Sequence, residues 1–231
     1  MKDTDFSLTP YGDNALLVQF SLPADVKFFS KAVNKRVHGL ARDLRDTGNW
    51  LDVVAGYDSL LCHFNLAKLS ADQAKTDIKA YLASPSGANK EAGKIVEIPV
   101  AYGGEYGPDM QAIMTASGLS ERAVIELHCA ELYDVCMMGF VPGFAFLSQA
   151  PEKLHHPRHK TPRQQVSEGS VGIAGWQTGI YGLQSPGGWQ IIGRTPLKLF
   201  DKTRKTPFMV EAGDKIRFNP ISQNSFDELS S

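Results

Sequence analysis

The chain has 231 residues, of which 42% are hydrophobic, and a formal net charge of −1 at pH 7. This length accommodates one large domain or two small ones with a buried core, and the near-neutral charge gives no electrostatic basis for binding nucleic acid or an anionic membrane. Three cysteines without CxxC spacing and the lack of a long apolar run lead us to expect a cytoplasmic protein with reduced thiols.

The first ninety residues are predicted to form a small α/β sandwich. Ala15–Phe20 is apolar enough for a largely buried strand, and a helix opening at Pro23 would place its apolar residues on one face. Two closely joined strands are expected over residues 51–64. Ser70 and Gln73 form a capping-box pattern at the start of a second helix. The two helices bury their apolar faces best on one side of the sheet.

Residues 84–93 are rich in turn formers and poor in large apolar residues, which is typical of a linker. We therefore predict an N-terminal α+β domain over residues 1–90 and a second domain over residues 91–231.

The second domain is predicted to be mostly β. Residues 94–102 alternate like a strand, and two short helices start at Pro108 and Ser120. Many short apolar runs between glycines and prolines follow, which favours a barrel or a sandwich. The tail from Ser222 is expected to be frayed.

The stretch 139–200 holds most of the polar groups expected in a ligand cleft. Gln177, Thr178 and Tyr181 lie between glycines, where fixed amide and hydroxyl groups suit a small polar ligand, although turn stabilisation is an equal alternative. Trp189 forms either a pocket wall or part of the core. Phe140, Phe144 and Phe146 are expected to be core residues on one face, with the Pro142–Gly143 corner between them exposed.

Charged and titratable groups add further candidates. Arg158, Arg163 and Arg194 could clamp a carboxylate or a phosphate, because guanidinium presents paired donors; the alternative is surface salt bridges. His128 is favoured as a core histidine by its helix pattern, and its functional alternative is acid/base chemistry or substrate orientation.

Standard metal and nucleotide motifs are weak here. His155, His156 and His159 could bind a metal, but a solvated loop is favoured, so no metal site is predicted. Residues 188–195 match a phosphate-binding P-loop except for an arginine in place of lysine. The strand-like run within that match and the following Pro196 argue against it.

Several separated segments together resemble a known family. Their order and spacing are those of the family of 5-oxoprolinase B subunits, also called allophanate hydrolase subunit 1, which includes Kip-type inhibitors of a sensor histidine kinase. The segments that carry the resemblance are Ile98–Gly104, Gly118–Glu121, Glu126–His128, Gly139–Phe144, Leu154–Arg158, Pro162–Arg163, Gly169–Ile173, Gln177–Tyr181, Ser185–Gln190 and Leu199–Asp201.

The resemblance implies an N-terminal α/β domain followed by a cyclophilin-like β-barrel. It implies two further 5-oxoprolinase subunits, C and A, as partners: B and C activate 5-oxo-L-proline with ATP and Mg²⁺ by phosphorylation, and A completes hydrolysis to L-glutamate. Chemistry and motif position then make His128, Arg163 and Arg194 the catalytic candidates. The candidate substrate-binding residues are Gln177, Thr178, Tyr181, Pro142, Gly143 and Trp189.

Two other functions remain open from the sequence. One is an inhibitor protein that binds a sensor histidine kinase through its barrel surface, and the other is a carboxyltransferase-like or allophanate hydrolase-related subunit. The chain also departs from the usual family pattern, with Ala145–Phe146 where Pro-Tyr is common and Gly182 where proline is usual. These departures bear on the substrate more than on the fold.

Overall fold

The computed structural model of the chain describes residues 6–83 and 93–230, and these two ranges form two separate compact units. Most of the predicted linker lies outside the described residues. Each unit has its own hydrophobic core, and the architecture is α+β as predicted. Within the described part of the chain, no helix is both long and apolar enough to cross a bilayer.

The first unit is a four-stranded antiparallel sheet with two helices. The sheet order is β1-β2-β4-β3, and helix residues such as Val37, Leu44 and Ile78 are fully buried in the same cluster as the strand residues Val18 and Leu60. The elements are β1 (Phe6–Pro10), β2 (Ala15–Phe20), α1 (Lys31–Arg45), β3 (Trp50–Ala55), β4 (Ser59–Phe64) and α2 (Ala71–Ala83).

The start of α1 was predicted wrongly. The helix begins at Lys31 rather than near Pro23, because Ser30 is extended and its hydroxyl accepts a hydrogen bond from the Val33 amide at 3.3 Å. The capping box of α2 is confirmed. The Ser70 amide donates to Gln73 Oε1 at 2.8 Å, and the Gln73 amide donates to Ser70 Oγ at 3.3 Å.

The second unit is built on a closed seven-stranded barrel, as predicted. The barrel order is β10-β7-β6-β13-β5-β12-β9, and β8 pairs with β11 in a separate two-stranded sheet. β5 and β13 run parallel, and the other barrel pairs are antiparallel. Its elements are β5 (Ile95–Tyr102), α3 (Met110–Ser117), α4 (Glu121–Cys129), β6 (Leu132–Met138), β7 (Ala145–Gln149), a 3₁₀ turn (Glu152–Leu154), β8 (Arg163–Val166), β9 (Ser170–Ala174), β10 (Gln177–Ile180), β11 (Ser185–Gly187), β12 (Gln190–Arg194), β13 (Lys215–Ile221) and α5 (Gln223–Ser230).

Side chains alternate between the inside and the outside of this barrel. On β9, Val171 and Ile173 belong to the interior core, whereas Ala174 belongs to a second apolar cluster. On β12, Ile192 lies in the interior core and Ile191 in the second cluster. The sheet therefore buries side chains on both faces over this part of its surface.

The C-terminal tail is helical rather than frayed, which corrects the prediction. Phe226 on α5 is buried, and its ring lies 4.2 Å from that of Tyr106. Tyr106 also donates a hydrogen bond to Asp227 at 3.0 Å. These contacts attach the helix to the loop after β5, which lies more than 100 residues earlier in the chain.

Candidate functional site

The second apolar cluster is aromatic and lies on the outer face of the barrel. Its centre is Phe144, whose ring lies 4.8 Å from Tyr181 and 5.4 Å from Trp189, both in edge-to-face arrangements. Phe146 on β7 contacts Phe144 at 4.4 Å and Trp189 at 5.9 Å. We call this set, together with Val166, Ala174 and Ile191, the outer aromatic cluster.

Two glycines form the floor on which Trp189 lies. Gly172 and Gly179 are direct partners in the β9–β10 pair, and a side chain at either position would lie on the outer face of the barrel, against Trp189. A Cβ atom at Gly179 would lie 3.1 Å from the Trp189 ring, and one at Gly172 would lie 3.1 Å from the Trp189 Cβ. These glycines therefore give the indole space against the barrel wall rather than bringing backbone close to a ligand.

Next to the cluster, Arg163 is held by a buried carboxylate. Its Nη2 donates to Asp109 Oδ1 at 2.6 Å, and the other Asp109 oxygen accepts the Ile191 amide at 2.7 Å. Arg163 Nη1 lies 2.8 Å from His159 Nε2. The same His159 nitrogen lies 3.3 Å from Asp109 Oδ1, so the three side chains form one connected cluster. The Asp109 side chain is 7% exposed, whereas that of Arg163 is 33% exposed.

The charge state of Asp109 follows from these contacts. Burial by itself raises the pKa of this carboxyl group. The hydrogen bonds from Arg163 and the Ile191 amide, the contact with His159 and the positive charge of Arg163 together outweigh burial and hold the pKa below its usual value. Asp109 is thus ionised near neutral pH and fixes one edge of the Arg163 guanidinium. Two of the five N–H donors of Arg163 are used in the contacts described, to Asp109 and His159.

A second arginine lies over the aromatic cluster. Arg158 is exposed, and its guanidinium carbon is 5.7 Å from the centre of the Trp189 ring. Burial raises the pKa of Tyr181, while Arg158 and Arg163 act in the opposite direction, so both cations lie within electrostatic reach of this hydroxyl. The cluster therefore has a cationic rim formed by Arg158 and Arg163.

The loop over residues 139–143 borders the same cluster. Phe140 meets Tyr181 edge to face at 6.5 Å, and Pro142 is exposed. Gly143 has a φ of 77° and is buried, and a Cβ atom there would lie 2.7 Å from the Cβ of Phe200. The glycine is required by its conformation and by this close approach.

His128, one of the three catalytic candidates, does not belong to this site. It lies fully buried inside the barrel, where Tyr102 Oη is 2.8 Å from Nδ1 and Thr178 Oγ1 is 3.0 Å from Nε2. The Thr178 hydroxyl donates its one proton to the Gly172 carbonyl at 3.1 Å, so it accepts from Nε2–H, and Nδ1 accepts from Tyr102. His128 and Thr178 are thus satisfied core groups with no exposed surface for a substrate.

Arg194 also lies apart from the cluster. Its Nε donates to the Glu168 carbonyl at 2.8 Å, and its guanidinium lies 5.7 Å from the centre of the Phe226 ring. It lines a cleft of about 280 Å³ together with residues that include Lys198 and Phe226. Arg194 and Arg163 are therefore not two halves of one clamp in this chain.

The structure brings together some of the predicted site residues and separates the rest. Tyr181 and Trp189 are members of the outer aromatic cluster, and Arg163 and the Pro142–Gly143 corner lie at its border. Gln177 instead begins β10, where it pairs with Ala174 and Gln149. Tyr181 and Trp189 are themselves buried, so a ligand would meet the rim first. Substrate binding by these residues stays a prediction.

Two residues of this region were not predicted from sequence. Asp109 precedes α3, 54 residues before its partner Arg163, and no local pattern links the two. Phe140 was interpreted as core, whereas it is 64% exposed.

The three loop histidines each contact a protein group rather than one another. His155 Nε2 lies 2.9 Å from the Ala150 carbonyl, His156 Nδ1 lies 3.1 Å from the Pro157 carbonyl, and His159 contacts Arg163. Over residues 6–83 and 93–230, no group of three or more His, Cys, Asp or Glu side chains has the arrangement of a metal site.

Comparison with known proteins places the chain in a family. Residues 6–210 match the family described as carboxyltransferase domain, subdomain C and D. The 5-oxoprolinase B subunit from Escherichia coli O157:H7 is 38% identical over 209 residues, covering 90% of this chain and 93% of that protein. The corresponding B subunit from Bacillus subtilis (strain 168) is 33% identical over 233 residues, covering 96% and 95%.

A solved structure supports the same placement. The crystal structure of TTHA0988 superposes with a TM-score of 0.77 at 34% sequence identity and covers 90% of this chain. The chain spans only 40% of the length of that solved chain. By its match over residues 6–210 and its identity to two B subunits over nearly their full length, the chain belongs to the family of 5-oxoprolinase B subunits, whose fold is that of carboxyltransferase subdomains C and D.

Proposed function

We propose that this chain is the B subunit of an ATP-dependent 5-oxoprolinase. Together with the C subunit it activates 5-oxo-L-proline by phosphorylation, and the A subunit then completes hydrolysis to L-glutamate. The observation that carries this proposal is the 38% identity to the Escherichia coli B subunit over 90% of the chain. Because a lactam carbonyl is a poor electrophile, transfer of the ATP γ-phosphoryl group to its oxygen, with release of ADP, creates a leaving group for water attack.

Arg163 is the residue of this chain best suited to phosphoryl transfer. It is partly exposed, its orientation is fixed by Asp109 and His159, and it retains donors for an anion. Such preorganised donors stabilise charge that develops in a transition state. Arg158, whose guanidinium lies over the Trp189 ring, adds a second positive charge near Arg163 for the transferred phosphoryl group. Arg194 acts, if at all, from its separate cleft beside α5, and His128 is not retained as a catalytic group.

ATP and Mg²⁺ are proposed to be shared with the C subunit. Asp109 is unsuited to bind Mg²⁺ directly, because its two oxygens already accept from Arg163 and from the Ile191 amide. This chain then contributes guanidinium contacts to phosphate, while the metal ligands come from the partner. The complex would accordingly be inactive when any one of its three subunits is omitted.

Reconstitution with the A and C subunits tests the proposal. We expect formation of L-glutamate and ADP that depends on 5-oxo-L-proline and on this chain. The Arg163→Ala substitution should lower kcat by about 10²–10³-fold, and Arg163→Lys should not restore it, because an ammonium group lacks the planar fork. Arg217→Ala, which removes an exposed pair with Glu97, is the matched control. Full activity without this chain would refute the proposal.

The two other functions raised by the sequence are not favoured. The curated relatives named above are B subunits of 5-oxoprolinase rather than kinase inhibitors. The carboxyltransferase name of the matching family describes the shared domain and is compatible with a hydrolase subunit.

A further inference from the structure

Phe140 combines two energetically unfavourable features. Its φ of 68° lies in the left-handed region, which costs an L-residue free energy, and among the described residues no other non-glycine has a positive φ. Its side chain is also 64% exposed to water. Backbone outliers of this kind persist where the surroundings hold them, and they concentrate at binding sites.

The surroundings do hold the Phe140 loop in one conformation. The Val141 amide donates to the Gly139 carbonyl at 2.8 Å, and the Phe144 amide donates to the Val141 carbonyl at 3.0 Å. The Phe140 ring meets Phe144 at 5.5 Å and Tyr181 at 6.5 Å, both edge to face. The exposed ring is therefore preorganised and loses little conformational entropy when it enters a pocket.

A second exposed aromatic residue and a basic segment lie beside this loop. Gly143 packs against Phe200, whose ring lies 5.1 Å from that of Phe208, and Phe208 is 41% exposed. The segment 201–207 joins these two phenylalanines and carries the exposed Lys202, Arg204 and Lys205. Its one acidic residue, Asp201, is contacted by Arg204 at 3.6 Å.

We propose that Phe140, Phe208 and the basic segment 201–207 form a docking surface for a partner polypeptide that presents an apolar pocket with an acidic rim. The inference rests on the proposed function, in which this partner is the C subunit. Charge complementarity selects an acidic rim, since the segment carries three cations beside one paired acid. The fixed orientation of the Phe140 ring favours a protein pocket of matching shape. A membrane surface would accept the ring in many orientations and gains nothing from holding it in one.

The first test measures the Kd between this chain and the C subunit. Phe140→Asn should raise the Kd at least about tenfold, as expected for an aromatic anchor. The Tm of the isolated variant should be unchanged or higher by about 1–4 °C, because asparagine tolerates positive φ. Leu229→Asn, on a side chain 55% exposed in α5, is the matched control and should leave the Kd unchanged.

The second test addresses the basic segment. The double substitution Lys202→Glu and Lys205→Glu should lower the association rate constant about tenfold at low ionic strength, and the difference should shrink in high salt. An association rate that is equal to wild type at low salt would overturn the electrostatic part of the proposal.

The outcomes separate this inference from the proposed function. If the wild-type chain binds the C subunit, and the Phe140→Asn variant binds it equally well, the docking surface is wrong and the function stands. A raised KM for 5-oxo-L-proline with unchanged Kd would make Phe140 a substrate contact instead and would also overturn it. The proposal would also be overturned if Phe140→Asn left the Kd for the C subunit unchanged and instead abolished self-association or binding to anionic phosphatidylserine vesicles. A wild-type chain that does not bind the C subunit would refute both proposals.

Discussion

His128 shows at the residue scale how a polar group is accommodated inside the barrel. Each of its ring nitrogens has a partner from a different strand, Tyr102 on β5 and Thr178 on β10. The chain of donors continues to Cys129, whose thiol lies 3.5 Å from the Tyr102 hydroxyl. A neutral imidazole satisfies this network completely, whereas an imidazolium would place an uncompensated charge in the core.

This environment makes stability depend on pH. Burial lowers the pKa of His128 to about 3 in the folded chain, from an ordinary value of 6.5. Between these values the unfolded chain binds a proton that the folded chain does not, so the free energy of unfolding falls as pH decreases through this window. The slope approaches about 1.4 kcal/mol per pH unit for this one group.

Urea unfolding at pH 7, 6 and 5 measures the effect. We expect the loss of stability toward pH 5 to be clearly smaller in the His128→Gln variant, which does not titrate in this range. His156→Gln, on the loop after the 3₁₀ turn, should keep the wild-type dependence. An unchanged slope in His128→Gln would show that the imidazole is not the group responsible.

Residue roles were the least predictable feature of this chain from sequence. Helical spacing placed His128 on the inner side of α4, but its partners lie on strands 26 and 50 residues away in sequence. The spacing therefore could not decide between a core and a catalytic histidine. Asp109 escaped notice for the same reason, because its importance comes only from the distant Arg163 and Ile191.

At the scale of elements, the β9–β10 hairpin gives two of its glycines a packing role, whereas the sequence left ligand binding and turn stabilisation as equal alternatives for the glycines around Gln177 and Tyr181. Gly172 and Gly179 face each other across the pair and leave a flat strip under Trp189. A side chain at either position would displace the indole and with it the centre of the outer aromatic cluster. The glycines are thus part of the packing between the barrel and the outer aromatic cluster.

The Gly179→Ala substitution tests this role. The new methyl group would lie 2.8 Å from the Ala145 carbonyl oxygen and 3.1 Å from the Trp189 ring, so we expect a loss of about 1–3 kcal/mol in the free energy of unfolding. Gly39→Ala is the control, because a Cβ atom at this position in α1 would meet nothing within 4 Å beyond the adjacent helix backbone, and alanine should stabilise by up to about 1 kcal/mol. Equal effects of the two substitutions in urea unfolding would contradict the packing role.

Elements with strong local signals were predicted well. A continuous apolar run identified β2, alternation identified β5, and the capping box located α2, because these signals lie within a few residues of one another. The start of α1 and the existence of α5 were missed. Both depend on contacts that override periodicity, namely the Ser30 cap and the packing of Phe226 on Tyr106.

For the whole molecule, closure of the barrel depends on the pairing between β5 and β13, the first and last strands of the second unit in sequence. β13 runs parallel to β5 with Lys215 opposite Ile95, a separation of 120 residues, and it also pairs with β6. Such a pairing leaves no trace in local sequence patterns, which is why a barrel and a sandwich were equally compatible with them. Once β13 is in place, the barrel has no unpaired edge strand.

The separate cores of the two units predict that residues 93–231 fold when expressed alone. The barrel interior and the outer aromatic cluster are assembled entirely from residues of this unit. We expect cooperative thermal unfolding and a near-ultraviolet circular dichroism signal from the packed aromatic side chains.

A fragment ending at residue 212 lacks β13 and should not fold, because β5 and β6 would then face water as open edges. A fragment 93–231 with native secondary structure but no near-ultraviolet signal and with strong binding of a hydrophobic dye would be a molten globule. In that case the barrel would depend on the first unit for its packing, and its two internal cores would not be sufficient.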